Sequence, residues 1–72
     1  MFSKSYQIIL MSYPDGEWIH EYYSYIVPLV NDVIIDDTDE IHSSYIAVER
    51  HFSIRSQKVV LLVEKIEDVV EW

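Results

Sequence analysis

The chain contains no cysteine, so neither a disulfide nor a thiolate metal site can stabilise it. Its single glycine, Gly16, leaves no Gly-rich loop to cradle a phosphate. The two prolines, Pro14 and Pro28, mark the breaks in the pattern. No Lys or Arg stands between Lys4 and Arg50. No apolar run approaches the roughly 20 residues of a membrane-spanning helix, so no membrane partner is expected. The apolar run Ile8–Met11, behind a start carrying one charge, is also too short for a secretory leader. Those features predict a cytoplasmic protein.

What is present is apolar and acidic. Half of the 72 residues are hydrophobic and 14% are aromatic. Residues 1–72 are expected to form a single domain. A chain this small buries only about 60% of its unfolded surface, so part of that apolar content should stay outside. With no disulfide available, oligomerisation is a natural stabiliser. The net charge is −8 and the pI about 4.5.

Tyr6–Tyr13 is rich in Ile, Leu and aromatics without a breaker and reads as a strand. Pro14-Asp15-Gly16-Glu17 then combines a preset φ, a turn-forming Asp and a glycine that accepts positive φ. It predicts a hairpin into a second strand, Trp18–Ile26. Alternation gives that strand one face with Trp18, His20, Tyr22, Ser24 and Ile26, and another with Ile19, Glu21, Tyr23 and Tyr25.

Pro28 cannot sit inside a central ladder, and Val27 before it is held extended. Asn31 tolerates left-handed backbone better than most residues. Val33–Ile35 restarts a short strand, and Asp36–Glu40 forms an acidic turn. A strand from about His42 to Phe52 follows. Tyr45 and Phe52 can both face the core only if a bulge lies near Ala47-Val48. Ser53–Gln57 reads as a turn. Lys58–Ile66, with Val59–Val63 continuously apolar and largely β-branched, reads as a strand covered on both faces or packed on another subunit. Ile66, Val69 and Val70 fit one face of a short C-terminal helical turn, and a strand extension fits them equally. Trp72 would either cover an open end of the core or be exposed.

Five short strands joined by tight turns predict an all-β fold, a small barrel or a strongly bent antiparallel sheet. The segments Pro28-Leu29-Val30-Asn31-Asp32-Val33-Ile34, Tyr45…Val48-Glu49-Arg50-His51-Phe52 and Val59…Val63-Glu64 resemble small SH3-like β-barrel proteins. In those a Pro-x-Val-Gly-Asp-x-Val corner opens a strand and a hydrophobic strand closes the barrel. The resemblance covers roughly residues 17–66, with Asn31 where Gly is usual. It implies a five-stranded SH3-like barrel, and carries little function because many such barrels are uncharacterised.

The residues do not assemble a catalytic or metal motif. His20, His42 and His51 lack the spacing of metal ligands. Asp36-Asp37-Thr38-Asp39-Glu40 lacks the glycine an EF-hand loop requires. Glu49-Arg50-His51 puts Glu49 and His51 on one strand face and Arg50 on the other, with no Ser or Cys nucleophile in a recognisable motif; Arg50 is expected to pair with a carboxylate. No cofactor, metal or enzymatic activity is expected.

Between Lys4 and Arg50 stand Asp15, Glu17, Glu21, Asp32, Asp36, Asp37, Asp39, Glu40 and Glu49. Such a field repels nucleic-acid phosphates and attracts basic proteins, so no direct nucleic-acid partner is expected. Trp18, Tyr23 and Tyr25 have the chemistry of binding anchors, although core packing would also account for them. The leading expectation is a non-enzymatic protein-interaction module that binds a protein partner or itself. The rival is an acidic inhibitor or nucleic-acid mimic, offering Asp36, Asp37, Asp39 and Glu40 to a basic DNA-binding protein. Ordinary solubilising charge is the plainer explanation of those acids.

Overall fold

The computed structural model describes residues 5–38 and 40–66. Five strands follow one another with no helix among those residues: β1 (Tyr6–Ser12), β2 (Trp18–Ser24), β3 (Val33–Asp36), β4 (Ser43–Ser53) and β5 (Lys58–Ile66). They form one sheet in the order β2-β1-β5-β4-β3. The sheet curls into a half-barrel consistent with a small SH3-like barrel. The all-β expectation is met, and the β5 bounds coincide with the strand Lys58–Ile66 read from the sequence. Among the described residues no helix is long and apolar enough to cross a membrane.

β1–β2, β3–β4 and β4–β5 pair antiparallel, whereas β1 and β5 run parallel. The parallel pair follows from counting. Four reversals among five strands leave the first and last pointing the same way, so a sheet that brings them together must pair them in parallel. The two remaining edges belong to β2 and β3, which are joined by residues 25–32 and do not pair with each other.

The core lies on the concave face. Ile8, Leu10, Ala47, Val59, Leu61 and Val63 are buried, with Tyr6, Ile19, Tyr22, Val27, Ile34 and Tyr45 packed against them. Complete burial of a large aliphatic side chain contributes about 1.5–3 kcal/mol. The β5 run is not equally covered on both faces. Val59, Leu61 and Val63 are buried, while Val60 and Leu62 are half-buried on the convex face. Strand alternation sends neighbouring side chains to opposite faces, and the curl encloses only one of them.

Two bulges shape the sheet. The β4–β5 register shifts between Ala47 and Glu49, leaving Val48 as the extra residue. This is the bulge that the positions of Tyr45 and Phe52 require. Tyr45 packs on the core, and the Phe52 ring meets Tyr6 edge-on at 5.3 Å. A second shift in β1–β2 sets Leu10 opposite His20 and Met11 opposite Trp18. Ile19 is therefore extra, and Trp18 lies on the convex side with Glu21 rather than beside His20 and Tyr22. Strict alternation is wrong here because a bulge offsets every residue before it.

The turns have identifiable locks. In the β1–β2 hairpin, Gly16 has φ 76° and its N–H donates to the Ser12 carbonyl at 2.7 Å. At the corner between β2 and β3, Asn31 takes φ 79°, the left-handed conformation its side chain tolerates. The Asp32 carboxylate accepts from the Leu29 N–H at 2.8 Å. The corner docks on β4 by main chain: Asn31 N–H donates to the Ala47 carbonyl at 2.8 Å, and Ala47 N–H donates to the Asp32 carbonyl at 3.0 Å. The expected C-terminal helical turn and Trp72 lie outside the described residues.

Candidate functional site

Among the described residues, β2 ends the sheet on one side and its edge is rich in exposed aromatics. Trp18 is 58% exposed, and Tyr23 and Tyr25 are each 68% exposed. Trp18 and Tyr23 belong to the edge strand and Tyr25 follows it directly. Large aromatic side chains next to unpaired strand N–H and C=O groups form a template for another chain.

Trp18 is held in place. Its indole Nε1–H donates to Glu21 Oε1 at 2.9 Å, and Gln7 Nε2 donates to Glu21 Oε2 at 2.8 Å. The register explains the network, because Glu21 lies opposite Ile9 and Gln7 opposite Tyr23 on the convex face. These donations, Trp18 first and Gln7 second, hold the Glu21 carboxyl below its ordinary value, with smaller help from the charges of Lys58 and His20. Fixing the indole before a partner arrives reduces the ordering cost of binding.

On the concave side, the gap between the β2 and β3 edges is a groove of about 390 Å³. Leu10 forms its floor. His20 and Tyr22 form the β2 wall, their rings stacked at 6.2 Å with 25° between planes. Ile34 and Ile35 form the opposite wall, which ends in Asp36, Asp37 and Thr38. Among the described residues no Lys or Arg lines the groove. Asp36 Oδ1 accepts from both the Thr38 hydroxyl at 2.6 Å and the Thr38 N–H at 3.2 Å. The hydroxyl bond is the main reason its carboxyl stays below the ordinary value, and nearby His20 adds to the effect. Burial raises the Tyr22 phenol.

Strand direction decides where the acids collect. β1 ends and β2 begins at the same end of the sheet as the β3–β4 connection, since Asp36 pairs with Ser43 and Ser44 with Ile66. Asp15, Glu17, Asp36, Asp37 and Glu40 thus share one end. The other end holds Arg55, in the β4–β5 turn, and Lys58. Glu21, Glu49 and Glu64 are spread along the strands.

The residues singled out by sequence fall into two groups. Trp18, Tyr23 and Tyr25 line the β2 edge. Asp36 and Asp37 lie across the groove on β3 and just beyond it, with exposed Glu40 farther along the turn. Asp39 lies outside the described residues. Sequence reasoning did not bring His20, Tyr22 and Ile34 together as one site. Their shared face with Leu10 becomes visible only once β1, β2 and β3 are arranged around the curl.

Among the described residues no group of three or more His, Asp or Glu side chains is placed to hold a metal ion. Glu49 and His51 do meet, at 3.0 Å between Oε1 and Nε2, on the exposed convex face. Arg50 makes no ion pair with a described carboxylate, contrary to expectation. Alternation turns it away from Glu49 to lie opposite Leu61. Comparison with known proteins finds no matching family model, no curated relative and no similar solved structure.

Proposed function

We propose that the chain is a non-enzymatic protein-interaction module of the small SH3-like barrel type, acting in the cytoplasm, that captures an extended segment of a partner protein along β2. The observation that carries this reading is the set of exposed aromatics, Trp18, Tyr23 and Tyr25, on and beside a sheet edge that pairs with no other described strand. An added strand gains main-chain hydrogen bonds from the edge and specificity from alternate side chains. Trp and Tyr are the side chains that most often carry interface energy. A second copy is a weaker occupant than a basic partner, because each copy carries −8 and like charges oppose association.

The test uses the full chain and a Tyr23→Lys, Tyr25→Lys variant as baits in an extract of the native host. A protein held at fixed stoichiometry by the wild type and lost by the variant is expected. Adding it to the wild type should slow amide exchange over residues 18–24. A captured protein indifferent to both changes would sink the edge reading. Sedimentation across concentration tests self-association, and a strict monomer at high concentration removes that option.

A second reading is supported by the gathering of Asp15, Glu17, Asp36, Asp37 and Glu40 at one end of the sheet. There the chain would act as an acidic inhibitor or nucleic-acid mimic toward a basic DNA-binding protein. The spread of Glu21, Glu49 and Glu64 along the strands counts against a single acidic face. Competition decides the matter: a mimic displaces DNA from its partner, and an edge-binding module leaves the DNA bound.

A further inference from the structure

We propose that the groove between the β2 and β3 edges receives an arginine side chain carried by the captured segment. The inference rests on the edge-capture reading and adds the chemistry of the partner. A strand laid along β2 directs every second side chain to the concave face, where the groove opens beside His20 and Tyr22. Those side chains leave the aromatics of the convex side to the alternate set.

The groove matches arginine part by part. Leu10 and Ile34 offer an apolar bed for a three-carbon stem, which long cationic side chains bury readily. The stacked His20 and Tyr22 rings provide a flat wall, and a guanidinium stacks on such faces better than an ammonium does. Asp36 stands at the mouth with Oδ1 tied to Thr38 at 2.6 Å; Oδ2 has no hydrogen-bond partner among the described residues. Asp37 is beside it. An anionic head would be repelled by both carboxylates. A purely apolar side chain would desolvate Asp36 Oδ2, the oxygen that Thr38 does not reach, without giving it a partner, a costly arrangement. Charge complementarity also separates this partner from a second copy, since β2 and its flanks hold no cation between Lys4 and Arg50.

The probe is an acetylated, amidated eight-residue peptide of alternating Thr and Val with one central Arg. It is titrated into the isotope-labelled full chain and compared with peptides bearing citrulline or Lys at that position. Citrulline keeps the shape of arginine and removes its charge. The Arg peptide is expected to shift the amides of residues 20–22 and 34–38. Citrulline should weaken binding about tenfold or more, as expected for loss of a charge-assisted hydrogen bond, and Lys should fall between the two. Asp37→Asn and Tyr22→Leu should each reduce the preference for Arg over citrulline while the folded spectrum is retained. Trp18→Ala should weaken all three peptides alike, since it acts on the edge and not on the groove. Equal binding of Arg and citrulline peptides through residues 18–24 would overturn the groove proposal and leave edge capture standing. Absence of any shift from these peptides, with a host partner that protects residues 18–24 and leaves residues 34–38 unperturbed, would overturn it too. Loss of edge protection with every ligand would overturn both.

Discussion

Asn31 and Ala47 are joined through the main chain at 2.8 Å, and this bond fastens the corner between β2 and β3 to β4 one residue before the Val48 bulge. Asn31 makes it from φ 79°, where a β-branched side chain is strained. Asn31→Val is therefore expected to destabilise the domain by about 1–2 kcal/mol. Asn31→Gly should stay within about 1 kcal/mol of wild type, as glycine accepts that φ but adds freedom to the unfolded chain. Urea midpoints of the two variants check the order. Equal losses would mean that the corner does not depend on left-handed backbone.

The asymmetry of β5 gives a paired prediction. Leu61 is fully buried and Leu62, its neighbour, is half-buried on the convex face. Leu61→Ala should cost about 2–5 kcal/mol, a large share of the few kcal/mol available to a domain of this size. Leu62→Ala should cost less than about 2 kcal/mol, because it removes less apolar area from cover. Thermal and urea melts followed by circular dichroism check both. Equal losses would indicate that the convex face is covered as fully as the concave one.

Much of the fold was readable because local chemistry and burial agreed. The run Val59–Val63 is both β-branched and core-forming. Asn31 is one of the few residues suited to its φ, and the Val48 bulge follows from requiring Tyr45 and Phe52 on one face. The bulge at Ile19 left no such trace. Trp18, Ile19 and His20 all suit a strand, so nothing in their order marks an extra residue, and Trp18 was assigned to the wrong face. The groove was hidden for another reason. Leu10, His20, Tyr22 and Ile34–Thr38 come together only through the strand order β2-β1-β5-β4-β3, which sequence periodicity does not encode. The exposed aromatics were legible as residue types, but their position on an open edge was not.

Acid should weaken the fold through Glu21 and Asp36. Both carboxyls are held below their ordinary values in the folded chain. In the unfolded chain they bind protons at higher pH, so the stabilisation is present above the ordinary carboxylate range. It declines as pH falls through that range and is lost once pH passes below the folded values. Glu21 is exposed and Asp36 half-buried beside the groove, so the effect is modest and screened by salt. Trp18→Phe, which removes the indole donor, should move Glu21 upward toward its ordinary value. Thr38→Val should do the same for Asp36. Carbon-detected carboxyl titrations read each shift directly. An unmoved Glu21 in Trp18→Phe would show that Gln7 and the nearby charges set its ionisation without the indole.

Tyr6 and Phe52 come from β1 and β4, two strands separated by β5, yet their rings meet edge-on at 5.3 Å. Neighbouring strands are about 4.8 Å apart, so strands two apart are roughly twice that distance in a flat sheet. Side chains on the concave face close the remaining gap. Such an edge-to-face pair adds about 0.5–1.5 kcal/mol beyond burial. Phe52 is 46% exposed, which places the expected coupling at the lower end of that range. The cycle of Tyr6→Leu, Phe52→Leu and the double variant, read by urea unfolding, should give a favourable interaction term of about 0.5 kcal/mol. Strict additivity would show that the rings only share a surface, and that the curl is held by the Val48 bulge and the core beneath it without help from this contact.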